Sequence, residues 1–141
     1  MPVATKVEIM PWKEEYAVGI KQIDEQHKRL VRLLNDLHQA MAEGKGRGVM
    51  AGILAQLIDY TKGHFATEER LMQGYSFSGY AGHKSEHDQL TKTVLNFQQD
   101  LNSGKAVMSI EVLDFLKNWL RNHILGTDQK YGPFLKSKGL S

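Results

Sequence analysis

Apolar residues recur at alternating steps of three and four through four long stretches of the chain, the pattern of helices that each bury one face. The first stretch, about Ile20 to Glu43, aligns Ile23, His27, Leu30, Leu34, Leu37 and Met41. The second, about Val49 to Gln73, aligns Ile53, Leu57, Tyr60, His64, Glu68 and Leu71. The third, about Tyr80 to Leu101, aligns His83, His87, Leu90, Val94, Phe97 and Leu101. The fourth, about Ile110 to Leu125, aligns Leu113, Leu116, Leu120 and His123. Turn residues separate them. Gly44-Lys45-Gly46-Arg47-Gly48 follows the first and Asn102-Ser103-Gly104 the third. Gly74 is a candidate C-cap of the second, and Ser109 and Gly126 bracket the fourth. Proline stands only at positions 2, 11 and 133, outside all four stretches. The pattern predicts an all-α protein, an up-down-up-down antiparallel four-helix bundle. An irregular arm, about residues 1–19, precedes it, with Trp12 and Tyr16 as anchors, and a C-terminal tail follows.

Length and composition narrow the picture. The 141 residues suit one domain, 1–141, with one core. Hydrophobic residues make up 41% and charged residues 24%, the balance of a globular chain and too apolar for a disordered one. A net charge of +2 gives no case for nucleic acid or an anionic membrane. Cysteine is absent, which excludes disulfides, cysteine-ligated iron–sulfur clusters, thiolate haem and a cysteine nucleophile. No apolar run has the length of a membrane span, and none between Met1 and Trp12 suits a signal peptide. The expectation is a cytoplasmic monomer without stable membrane insertion.

The four stripes carry residues that a core does not want. Five histidines and Glu68 occupy positions that periodicity assigns to the interior. One buried histidine is ordinary, but each polar ring left without a partner costs about 1–3 kcal/mol, and a buried unpaired carboxylate costs more. A cation between them satisfies all together. His64 and Glu68 are four apart, as are His83 and His87, so each pair projects from one face of its helix. In an antiparallel bundle the positions of His27, His64, His83, His87 and His123 fall at the same end. His38 lies about 16 Å beyond His27 along the first helix and reads as a surface or boundary residue. Asp128 follows His123 by five residues, which rotates it off the stripe of a regular helix. A break at Gly126 would swing it inward; the same residue equally suits a helix cap or a water-facing position.

Taken in order, Asp24-Glu25-Gln26-His27, His64-x3-Glu68, His83-x3-His87 and His123-x4-Asp128 resemble the pattern of the hemerythrin family, in particular its single-domain bacterial members. The likeness runs from about Trp12 to Phe134. It implies a non-haem di-iron centre that binds dioxygen reversibly, for oxygen storage, transport or delivery to an oxygen-consuming oxidase, and not an enzyme. By the same resemblance, His83, His87 and His123 hold one iron and His27 and His64 the other. Glu68, Asp128 and a solvent-derived oxo or hydroxo group bridge the two. These ligands leave one coordination corner vacant, on the iron of His27 and His64. Leu30, Val31, Phe65, Trp119, Leu120 and Ile124 are the candidates for a dry oxygen pocket. Spacing alone does not divide the histidines three and two, and imidazole with carboxylate also suits zinc, copper and nickel.

Other readings fit fewer residues. A metal phosphohydrolase built on His87-Asp88 leaves His27, His83 and His123 unexplained. A ferritin-like carboxylate centre needs two Glu-x-x-His motifs, and the chain has none. A hemerythrin-type sensor of oxygen or redox state would act through a separate partner. Lys45, Arg47 and the mildly basic stretch from Lys130 to Lys138 read as solvated turns and ends.

Overall fold

Four long helices form because each stripe above has one face to hide, and they pack face to face. The computed structural model describes residues 9–105, 110–124 and 128–141. Helix α1 is Lys21–Ala42, α2 Arg47–Gly74, α3 Tyr80–Ser103 and α4 Ile110–Asn122. They run up-down-up-down, with α1 against α2 and α4, and α2 against α3. No strand occurs among the described residues, and no described helix is long and apolar enough to cross a membrane. Gly104, with φ +84°, ends α3 in the left-handed conformation that glycine adopts freely. Helix α2 runs through Gly74 and closes at Tyr75, one residue beyond the expected cap. Ser109 and Gly126 lie outside the described residues.

Two expectations change. The arm is not irregular throughout, since Glu14–Tyr16 forms a short 3-10 turn. The C-terminal stretch is not a tail but a fifth helix, α5, Asp128–Ser137, packed on α2. Pro133 stands inside it and interrupts the periodic pattern, so periodicity does not predict this helix. Tyr131 and Leu135, one turn apart, provide its buried face.

The described part of the arm, residues 9–19, is fastened at two points. Asn35 on α1 exchanges two hydrogen bonds of 2.9 Å with the backbone of Met10. Asp24 accepts from the backbone N–H of Val18 at 2.7 Å and of Gly19 at 3.2 Å. Between them Tyr16 is buried and Trp12 packs edge-on against it. Gln129 of α5 donates to the carbonyls of Tyr16 and Ala17, so arm and α5 hold each other.

The apolar interior divides in two. The larger cluster contains Leu30, Leu34, Leu37, Leu57, Phe65, Leu113, Leu116 and Leu120. The smaller contains Val18, Ile20, Ile23, Met72, Tyr131 and Leu135. Along α1 the order is Ile23, His27, Leu30, and along α2 it is Phe65, Glu68, Met72. The polar residues therefore form a layer between two apolar ones.

Candidate metal centre

The polar layer is buried on every side. His27, His64, Glu68, His83, His87, His123 and Asp128 all expose 4% of their surface or less. The bundle brings these seven residues to one centre, while His38 lies half-buried outside it. Asp88 stays at the surface, paired with Lys84 at 3.0 Å, so no His87-Asp88 site assembles.

Asp128 lies beyond the end of the fourth helix, and the expected break at Gly126 falls outside the described residues. The backbone loosens into a π-type turn at His123 and Ile124. Asp128 then begins α5, and its carboxylate points back into the bundle. Its two oxygens face two groups of rings. Oδ2 lies 2.8 Å from His27 Nε2 and 3.9 Å from His64 Nε2. Oδ1 lies 3.0 Å from His83 Nε2 and 2.9 Å from His123 Nε2. Glu68 Oε1 completes both groups, 3.0 Å from His64 Nε2 and 3.3 Å from His87 Nε2. Two overlapping donor sets result: His83, His87 and His123 with both carboxylates, and His27 and His64 with the same two carboxylates.

Three of the five rings, His64, His87 and His123, have their orientation fixed from outside. A carboxylate only accepts, so Nδ1 of His87 carries a hydrogen and donates it to Glu69 Oε2 at 2.8 Å. Nδ1–H of His123 likewise donates to Glu86 Oε1 at 3.3 Å. His64 Nδ1–H donates to Gln26 Oε1 at 2.6 Å. These bonds leave the Nε2 atoms aimed at the centre. His87 Nε2 and His123 Nε2 are 3.2 Å apart, close to the separation of about 3 Å for two imidazole nitrogens on adjacent corners around a metal with bonds of about 2.1 Å.

The donor atoms are close but poorly satisfied by one another. At His64 Nε2, His83 Nε2, Glu68 Oε1 and Asp128 Oδ1, ring nitrogens face carboxylate oxygens at 2.9–3.7 Å yet make no hydrogen bond of proper alignment. Buried polar atoms that converge without pairing are what a cation site looks like before a cation is placed in it. Imidazole nitrogen with carboxylate oxygen is the donor chemistry of first-row transition metals. The residues present therefore fit a metal pair.

Protons take the cation's part in the metal-free chain. Burial alone pushes His64 down, but Glu68 and Asp128 outweigh it and carry the ring up to about 9. His123 is likewise raised well above its ordinary value, by Asp128 first among its neighbours and against the effect of burial. Burial opposes the ionisation of Glu68 and Asp128, yet the surrounding rings hold both carboxyls below the usual range.

Four contributors were invisible as such in the stripes. Gln26, Glu69 and Glu86 sit beside ligand-type residues in the sequence, but only the fold shows which ring each one meets. The Tyr131 hydroxyl donates to Glu68 Oε2. Its signal was the three-residue step from Asp128, legible only once the tail is known to be helical. The six candidate pocket residues, Leu30, Val31, Phe65, Trp119, Leu120 and Ile124, are all buried in the larger apolar cluster. Phe65 stacks on the His87 ring, centroids 3.7 Å apart and nearly parallel, and tilts against His64 and His123.

Fold and site together define a helical-bundle protein with a buried cation-binding centre of histidine and carboxylate. The chain belongs to the hemerythrin family: residues 18–135 match the model of the hemerythrin HHE cation binding domain. It is 35% identical over 130 residues to the bacteriohemerythrin of Methylococcus capsulatus, covering 92% of this chain and 98% of that one. The bacteriohemerythrin of Pseudomonas aeruginosa is 38% identical over 122 residues, 85% of this chain and 77% of its own. A crystal structure of wild-type hemerythrin superposes with a TM-score of 0.85 at 35% identity, covering 90% of this chain and 98% of that one.

Proposed function

We propose that this chain binds dioxygen reversibly at a di-iron centre, as a carrier rather than an enzyme, for storage or for delivery to an oxygen-consuming oxidase. His83, His87 and His123 would hold one iron, His27 and His64 the other, with Glu68, Asp128 and a solvent-derived oxygen bridging them. When bound, the iron pair supplies two electrons and a vacant coordination corner for a diatomic ligand. The carrying observation is the division of Asp128, one oxygen facing the two-ring group and the other the three-ring group.

The chain's own residues make reversibility physically reasonable. Glu69, Glu86 and Gln26 fix three rings in the tautomer that presents Nε2. Tyr131 holds the free oxygen of Glu68, so that carboxylate cannot rotate away. Phe65 covers His87, and Leu30, Val31, Trp119, Leu120 and Ile124 provide the apolar wall that would keep water and external protons from the ligand. No step calls on a side chain as general acid or base, which suits a carrier.

Anaerobic loading with ferrous iron, followed by spectra with and without air, tests the reading. The expected outcome is two irons per chain and a charge-transfer spectrum that appears in air and disappears when oxygen is removed. One metal per chain, or no spectral response to air, would refute it. Slow, irreversible bleaching would overturn the carrier reading in favour of a sensor acting through a partner or an enzyme.

A further inference from the structure

The partners on the outer side of the rings are not the same around the two halves of the centre. His87 donates to Glu69 and His123 to Glu86, both carboxylates. On the other half, His64 donates to the neutral amide of Gln26, and His27 Nδ1 is buried without a hydrogen-bond partner. Resting on the two-metal reading above, we propose that Glu69 and Glu86 are positioning residues that make the His83–His87–His123 side the tighter metal position, filled first. Gln26 leaves the His27–His64 side the weaker one, filled second.

The physical basis is charge placement. A ring whose Nδ1–H is given to a carboxylate carries more electron density on Nε2 and is a stronger donor to metal. A charge-assisted hydrogen bond is about twice as strong as a neutral one, so Gln26 polarises His64 less. Glu68 and Asp128 serve both halves, so they do not discriminate between them. Glu69 and Glu86 add negative charge beside one half only. Glu69 is the stronger of the two, because its side chain is 21% exposed against 39% for Glu86 and its bond is shorter. Lys84 stands 3.9 Å from Glu69 and is itself held by Asp88 at 3.0 Å, which ties Glu69 to the surface of α3. Filling one position before the other also means a defined one-metal state precedes the pair.

Zinc(II), which has no oxygen chemistry, is the probe. It is titrated into the metal-free full chain while the ring nitrogens are read by 15N-histidine NMR and the heat by calorimetry. The first equivalent should shift His83, His87 and His123, and the second His27 and His64, in two steps at least about tenfold apart in affinity. Glu69→Gln keeps an acceptor oxygen and removes the charge. It should weaken the first step by about tenfold or more and leave the second within about twofold. Glu86→Gln should do the same to a smaller extent, and Gln26→Glu should narrow the gap from the other side. All five rings shifting together, His27 and His64 shifting first, or Glu69→Gln weakening both steps equally would overturn the inference while leaving two metals bound. No zinc uptake by the unaltered chain would overturn the two-metal reading and this inference with it. The three rings of one side against the two of the other favour the same order, so the carboxylates are tested by the variants, and Glu86→Gln and Gln26→Glu carry that test if Glu69→Gln fails to fold.

Discussion

At the scale of single residues, the side chains that matter most are those that meet an ionised group in the interior. Tyr131 is one. Burial, and after it the charge of Glu68, pushes its phenol well above the ordinary value, so it remains a donor. Tyr131→Phe would keep the ring and leave Glu68 Oε2 short of a partner. A hydrogen bond to a buried charge contributes about 1.5–3 kcal/mol, and the metal-free variant should lose about that much stability in urea titration. An unchanged unfolding midpoint would mean that the hydroxyl carries no such bond. Leu120 is the opposite case, an apolar side chain 3% exposed and one turn before His123. Leu120→Ala would open space beside the centre, cost about 2–5 kcal/mol as a cavity, and let water in. In the iron-loaded, oxygenated protein it should speed autoxidation, followed by the decay of the charge-transfer band; an unaltered decay rate would remove Leu120 from the oxygen pocket.

At the scale of elements, legibility in the sequence followed periodicity. Helices α1 to α4 were readable because each repeats an apolar stripe over several turns, and the histidines interrupt those stripes at positions that only a core would occupy. Helix α5 was not readable, because ten residues with Gly132 and Pro133 inside give too few repeats to outweigh two helix-breaking residues. What holds it is tertiary: Tyr131 and Leu135 are fully buried, and Gln129 reaches the arm. The sequence leaves the approach of Asp128 open between an inward swing and a cap or water-facing position, since the π-type turn after Asn122 has no compositional mark. Gly132 shows how close this docking is. A Cβ there would stand 3.0 Å from the carbonyl oxygen of Val18, a backbone atom that moves only if the arm moves. Gly132→Ala should therefore part α5 from the arm, destabilise the fold by about 1–3 kcal/mol, and weaken uptake of zinc, because Asp128 travels with α5. Stability and zinc uptake both equal to the unaltered chain would show that arm and α5 are not coupled to the site.

At the scale of the whole molecule, the buried layer sets a conflict between protons and metal that pH should reveal. In the metal-free chain His64 titrates at about 9 and His123 well above its ordinary value, against about 6.5 in an unfolded chain. A group whose folded value is raised binds its proton more tightly when folded. Its contribution is complete below about pH 6.5 and is lost as pH rises through the folded value. Glu68 and Asp128 behave in the opposite sense. Their folded values are depressed, so their contribution is present above about pH 4.5 and is lost as pH falls towards the folded values. The metal-free protein should thus be most stable between about pH 4.5 and 6.5 and soften steadily towards pH 9. Metal reverses the requirement, since imidazole must lose its proton to bind, and rising pH favours the loaded form. Thermal unfolding of the chelator-treated chain should show Tm falling from pH 6.5 to 9, while the iron- or zinc-loaded chain stays level or rises. The difference between the two curves measures the protons that metal displaces, and direct proton release on zinc addition at pH 7 should agree with it. A metal-free Tm that does not change over that range would mean that the rings are neutral in the folded chain, and that the two acids are held by something other than protonated imidazole.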